Sequence, residues 1–168
     1  PDVHGDHRGF FMEMWRKELY AENGIPEEFV QDNLSLSRRG TLRGLHFQNP
    51  VPQGKLLSVI EGEVFDVAVD VRLGSPTFGK WVGVHLDGKT RTQMYVPPGF
   101  AHGFVVLSET ALFHYKCTAA YRPDAERVVL WNDPALGIQW PISDPQLSAR
   151  DAAAPPLAHV DSRYLDFP

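Results

Sequence analysis

The sequence contains a single cysteine, Cys117, in 168 residues. No intramolecular disulfide can form, which fits a reducing compartment; a chain of this length can bury a sizeable core without one. There is no apolar run of membrane-spanning length and no signal-peptide pattern. No cluster of Lys and Arg is long enough to act as a phosphate track, and the formal net charge is −5. That argues against a nucleic-acid-binding surface, though not against a small anionic ligand held by a few arginines. No glycine-rich dinucleotide loop is present. A cytoplasmic enzyme or binding protein is therefore expected, with no nucleic acid or membrane as partner. The first residue is Pro1 and not Met, so some native residues are expected to precede it.

What is abundant is punctuation. Fourteen Gly and fourteen Pro are dispersed between short apolar runs. Strand-like runs fall at Phe29 to Ser37, Leu42 to Gln48, Lys55 to Ile60, Val64 to Arg72, Trp81 to Leu86, Gln93 to Val96, Phe104 to Leu107, Ala111 to Thr118 and Arg127 to Trp131. Turn signals separate most of them, with no helical pattern between. Such spacing predicts one all-β domain over residues 1–168, an antiparallel sandwich or barrel. Two short helices are expected, at Trp15 to Asn23 and near Gln146 to Ala153. Val64 to Arg72 alternates most cleanly, with Phe65, Val67, Val69 and Val71 on one face and Asp66, Asp70 and Arg72 on the other. In Val30 to Ser37 the residues Gln31, Asn33, Ser35 and Ser37 share a face opposite Val30, Asp32, Leu34 and Leu36. Taken alone, the amide and hydroxyl face reads as the solvated one.

Leu42-Arg43-Gly44-Leu45-His46-Phe47-Gln48 departs from this texture. It places a fixed cation, an imidazole and an amide in what is otherwise a buried strand, where such groups need partners. Arg43 and His46 are three apart and would face opposite sides of a regular strand. If both reach one pocket, the backbone near Gly44 must be bent or bulged. Pro97-Pro98-Gly99-Phe100-Ala101-His102 has the form of the second conserved motif of the cupins, a family of double-sheet jelly rolls. Gly44 to Gln48 resembles their first motif, but with only one of its histidines. A catalytic metal needs about three protein ligands, so no metal centre is expected. His4, His7, His85 and His114 lack ligand spacing and read as surface or packing residues.

Without a metal, His46 has to act as a base or a binder. A base for a carbon acid needs a carboxylate behind it, an acid on the far side of the substrate and a cation for the enolate oxygen. The candidates are Asp70 or Asp151 for the carboxylate, Tyr115 for the acid and Lys55 for the cation. Alternation favours Asp70.

Several segments recur in order in one family: Asp6-x-Arg8-Gly9-Phe10-Phe11, Gln31-Asp32-Asn33-x-Ser35, Leu42 to His46, Gln53-Gly54-Lys55-Leu56, Gly62 to Asp70 and Ser75 to Gly79. So do Pro98 to Phe104, Trp131 to Pro134, Trp140-Pro141 and Leu147-Ser148-x-x-Asp151. Together they resemble the dTDP-4-dehydrorhamnose 3,5-epimerases of deoxysugar biosynthesis over nearly the whole chain. The resemblance implies a cupin-type jelly roll that acts without a cofactor, as a homodimer, on a dTDP-4-keto-6-deoxy sugar. It makes His46 the base with Asp151 behind it, Tyr115 the acid and Lys55 the enolate stabiliser. His102 would line the sugar pocket, with Lys and His donors near the keto oxygen. Arg8 and Arg43 would hold the diphosphate, Gln31 and Asn33 would contact the nucleotide, and Tyr121 would stack on thymine. Phe11, Glu13, Glu126 and Arg150 would complete the wall, partly across a dimer interface. Arg150 stands where the family often has Lys, and an N-terminal strand of the dimer sheet would precede Pro1. The rival readings are an epimerase of one centre only, a 4-keto-sugar isomerase of the same fold, and a non-catalytic nucleotide-sugar-binding cupin. Retention of His46, Tyr115 and Lys55 disfavours the isomerase.

Overall fold

The computed structural model describes residues 1–167. The described residues form eleven strands: β1 (Val3–Asp6), β2 (Gly9–Met12), β3 (Gln31–Arg38), β4 (Leu42–Gln48), β5 (Lys55–Glu61), β6 (Glu63–Asp70), β7 (Trp81–Asp87), β8 (Gln93–Val96), β9 (Phe100–Val106), β10 (Thr110–Cys117) and β11 (Glu126–Val128). Helix α1 (Lys17–Glu22) precedes β3, and α2 (Ala149–Ala152) follows β11. The strands pair as a sheet β3-β10-β5-β8, a sheet β11-β4-β9-β6-β7 and a separate hairpin β1-β2, every pairing antiparallel. This is the cupin-type jelly roll.

Two apolar cores follow from the alternation within β6. Val64 and Ala68 turn into the space between the two sheets and pack with Leu57, Val59, Phe104, Ala111 and Phe113. Phe65, Val67, Val69 and Val71 turn the other way, where the C-terminal segment covers them with Val129, Leu136, Leu157 and Leu165. Tail and outer sheet face thus shield each other, and the central strands β4, β9 and β6 of the five-stranded sheet are largely buried on both sides.

Three expectations need correction. Strand β9 starts at Phe100 instead of Phe104, because the Phe100 to Gly103 segment pairs residue for residue with Asp70 to Val67 of β6. Ladder pairing here overrides the weak strand propensity of Gly99 to Gly103. The first helix covers only Lys17–Glu22, inside the expected span. Most consequentially, the polar face of β3 points inward. Ser37 is buried and Gln31, Asn33 and Ser35 are half-buried, whereas Leu34 and Leu36 are 64% and 67% exposed. The interior is polar at this end, so the rule that apolar residues face inward is inverted.

Candidate active site

One end of the space between the sheets collects the polar side chains. On the four-stranded sheet, Gln31, Cys117 and Lys55 lie on one rung, and Asn33, Tyr115 and Leu57 on a second. On the facing sheet His46 pairs with His102, and Arg43 with Phe104. From Arg43 to His46 the chain advances three residues while its partner advances two, from Phe104 to His102. The extra residue is a bulge, and it turns Arg43 and His46 to the same side. Gly44 occupies it with φ of 128°. A Cβ there would stand 2.5 Å from the Cα of Gly103, so only glycine fits.

The bulge also organises what stands behind His46. Leu42 N–H donates to the carbonyl of Gln146 (3.0 Å), and Gln146 N–H donates to that of Gly40 (2.8 Å), tying the C-terminal segment to the start of β4. Two residues on, the Ser148 hydroxyl caps α2 by accepting from Asp151 N–H at 3.1 Å. Asp151 is thereby held under the imidazole, with His46 Nε2 2.6 Å from its Oδ1. Burial opposes the charge on Asp151, but hydrogen bonds from His46, Ser148 and the Gly44 amide outweigh it, and the carboxyl lies below its ordinary range. A carboxylate only accepts, so Nε2 carries the proton and Nδ1 is the free basic nitrogen. Glu126 Oε1 is 3.9 Å from that Nδ1.

Asp70 is elsewhere. It accepts from Arg72 Nε (2.9 Å) and Nη2 (2.7 Å), and from the hydroxyls of Ser75 and Thr77 (both 2.6 Å). It anchors the turn between β6 and β7, and the carboxylate against His46 is Asp151.

Lys55 is half-buried, and loss of solvent pushes its ammonium below the ordinary lysine range, against the pull of Cys117, Glu126 and Asp66. Burial raises the Tyr115 phenol, with Arg43 opposing. Burial pushes the Cys117 thiol up to about 11. Arg43 Nε donates to Ser37 Oγ at 3.1 Å. Gln31 donates to Asn33 Oδ1 (2.9 Å), Asn33 donates to Cys117 Sγ (3.4 Å), and Gln31 Oε1 receives the Tyr121 amide (2.7 Å). Glu126 accepts from the Tyr121 hydroxyl at 2.8 Å and from Arg150 Nη1. Hydrogen bonds thus link Cys117, Asn33, Gln31, Tyr121, Glu126 and Arg150 into one wall that ends at the exposed ring of Tyr121.

Arg8, Phe11 and Glu13 are not brought to this wall. Arg8 sits in the exposed β1-β2 turn, paired with Asp6. Phe11 and Glu13 line an outer cavity of about 830 Å³ with Arg16, Tyr20 and Gln93. Asp66, by contrast, was not singled out from the sequence and lies beside His102, 2.9 Å from its Nε2. Its position opposite the apolar face of β6 was the available signal. Among the described residues no group of three His, Cys, Asp or Glu side chains is placed to hold a metal ion. No helix is long and apolar enough to cross a membrane.

A jelly roll whose interior holds a carboxylate-backed imidazole, a phenol and a partly desolvated amine is a cupin-type fold furnished for proton transfer. Comparison with known proteins narrows that class. Residues 1–159 match the family model described as dTDP-4-dehydrorhamnose 3,5-epimerase, and the chain belongs to that family. The relative of that name from Salmonella typhimurium is 56% identical over 94% of this chain and 87% of its own length. The one from Neisseria gonorrhoeae is 52% identical over 100% of this chain, which spans only 52% of that relative. The crystal structure of dTDP-6-deoxy-D-glucose-3,5-epimerase from Legionella pneumophila, in complex with dTDP-4-keto-L-rhamnose, superposes with a TM-score of 0.96. It is 54% identical, and the match covers 99% of this chain and 89% of that one.

Proposed function

We propose that the chain inverts C3 and C5 of dTDP-4-dehydro-6-deoxy-D-glucose, giving dTDP-4-dehydro-L-rhamnose. The observation that carries this is the 2.6 Å contact between His46 and Asp151, on the sheet that faces the strands carrying Tyr115 and Lys55. Nδ1 of His46 takes the proton next to the 4-keto group, and the C–H electron pair moves into an enolate whose oxygen rests against Lys55. Tyr115 returns a proton to the opposite face of the same carbon. His46 then releases its proton and the tyrosinate regains one from solvent. The ketone acidifies both neighbouring carbons, so the same pair serves C5 after the ring readjusts. Arg43 holds the diphosphate by charge-assisted bonds. Gln31, Asn33, Tyr121, Glu126 and Arg150 receive the nucleotide, and His102 faces the sugar.

Incubation of the substrate in deuterium oxide tests this, with incorporation expected at both C3 and C5. Exchange at one carbon reduces the activity to a single-centre epimerase. No exchange leaves a nucleotide-sugar-binding protein.

The working unit is a homodimer. Supporting this, the edge strand β3 presents Leu34 and Leu36 to solvent, and the β1-β2 hairpin presents Phe10 and Phe11. Apolar surface of this kind marks an interface. Arg8, Phe11 and Glu13 then serve the pocket of a second copy. Mixing inactive Arg8→Ala and His46→Ala proteins under subunit exchange is expected to regenerate activity, because one of the two hybrid sites is intact. If the mixture stays inactive although hybrid dimers form, Arg8 does not act across copies.

A further inference from the structure

The pocket contains a second histidine–aspartate pair that the proton transfers do not use. Asp66 lies in the middle of β6, fully buried, in the space between the sheets. Both its oxygens reach one atom, His102 Nε2, at 3.0 and 2.9 Å. Asp66 has no other hydrogen-bond partner among the described residues. The ring of His102 is fixed from its sides, 6.3 Å from Phe104 and stacked 6.2 Å from Phe113. Its side chain is 8% exposed, and Nδ1 has no hydrogen-bond partner among the described residues.

We propose that Asp66 is a positioning residue that holds His102 with a bare Nδ1, so that His102 accepts a hydrogen bond from a sugar hydroxyl. This rests on the reaction proposed above. An ionised carboxylate can only accept, so Nε2 must donate and Nδ1 is left with its lone pair. Doubly protonated His102 would be a donor at both nitrogens, but burial, aided by Lys55 and His46, outweighs the pull of Asp66 and disfavours that cation. Burial raises the Asp66 carboxyl, and His102 and Lys55 oppose that rise. A lone pair facing the sugar attracts a hydroxyl and repels a carbonyl or enolate oxygen. The keto oxygen is thereby directed to Lys55 and a ring hydroxyl to His102. The expectation that histidine donors surround the keto oxygen is replaced by a division of labour. Lys55 donates and His102 accepts, so the sugar is held in one orientation.

The first test needs neither substrate nor variant: ¹⁵N NMR of the imidazoles in the wild-type protein. A neutral His102 with protonated Nε2 and bare Nδ1 is expected. Protonated Nδ1, in either the other tautomer or the imidazolium, overturns the proposal. The second test compares the 2-deoxy and 3-deoxy forms of the substrate, both of which keep a C5 hydrogen that can be followed by exchange. Wild type is expected to lose about 10- to 100-fold in kcat/KM with one of them, the cost of an unmatched buried acceptor. In Asp66→Asn the amide can donate to Nε2, which frees the ring to protonate Nδ1. The bare Nδ1 is then no longer enforced, and ¹⁵N NMR of the variant is expected to show Nδ1 protonated. An Nδ1 that stays bare in a folded Asp66→Asn protein overturns the proposal. The expected tautomer in a protein that exchanges neither carbon would sink the reaction while leaving the positioning by Asp66 in place.

Discussion

His46 Nε2 and Asp151 Oδ1 are 105 residues apart in the chain and 2.6 Å apart in space. The contact determines which imidazole nitrogen is basic and where it points. His46→Ala is expected to lower turnover by about 10²–10⁴-fold, the usual contribution of a positioned general base. Nucleotide binding should persist, since Arg43, Gln31 and Tyr121 are untouched. Calorimetric titration with dTDP checks this, and a parallel loss of affinity would make His46 structural. Asp151→Asn should keep the contact but permit the other tautomer, so kcat should fall while KM moves little.

The alkaline limb of the pH profile should belong to Lys55. Its ammonium is held below the ordinary lysine range by burial, whereas burial raises the Tyr115 phenol above its own. Burial thus makes the cation needed at the enolate oxygen easier to lose as pH rises, and the proton needed on Tyr115 harder to lose. Lys55→Arg keeps its charge throughout and should move the limb to higher pH, although the larger head group lowers kcat. A limb unchanged in Lys55→Arg but absent from Tyr115→Phe, measured on residual exchange, would assign it to the phenol instead.

Asp70 allows a test of stability apart from catalysis. Burial works against its charge, but hydrogen bonds from Arg72, Ser75 and Thr77 outweigh that and hold the carboxyl well below its usual range. A group depressed on folding stabilises the native state above its unfolded value, near pH 4, and that stabilisation is lost as pH falls through the folded value. Asp70→Asn should therefore cost about 2–3 kcal/mol at neutral pH, discounted for the partly exposed Arg72 partner. The gap in Tm between the two proteins should narrow in acid. Deuterium exchange of the substrate should be unaffected. Loss of exchange at full stability would mean Asp70 acts in the pocket after all.

How far the site was legible depended on where its information lay. Alternation in β6 located one apolar core, because a strand covered by the chain's own tail obeys period two. The same rule misplaced the polar face of β3, since a ligand cavity takes the polar side chains inward and leaves Leu34 and Leu36 outside. Alternation also favoured Asp70, an aspartate on a clean strand, over Asp151. Asp151 reaches His46 only because Gln146 is tied beside β4, a long-range pairing that no local pattern encodes. Alternation places Asp66 opposite the apolar face of β6, but its role depends on His102 being its neighbour on the paired strand β9. Arg8, Phe11 and Glu13 stand apart from the His46 wall in a single copy, so their contribution can be judged only with a second copy present.

The bend expected at Gly44 from the spacing of Arg43 and His46 is the one-residue bulge in the β4-β9 ladder. Gly44→Ala is the sharpest test of how the pocket depends on it. The added methyl would meet Gly103 Cα at 2.5 Å and the His102 carbonyl at 2.8 Å, both backbone atoms that cannot swing aside. The φ of 128° is also one that alanine rarely adopts. A loss of about 2–4 kcal/mol of stability is expected from clash and strain together. The catalytic consequence should exceed the stability loss, because relief by straightening the strand would return His46 to the face opposite Arg43. A folded Gly44→Ala protein should therefore still show its jelly-roll circular dichroism while losing exchange at both carbons. A stable variant with full exchange would mean that the bulge does not set the direction of the imidazole.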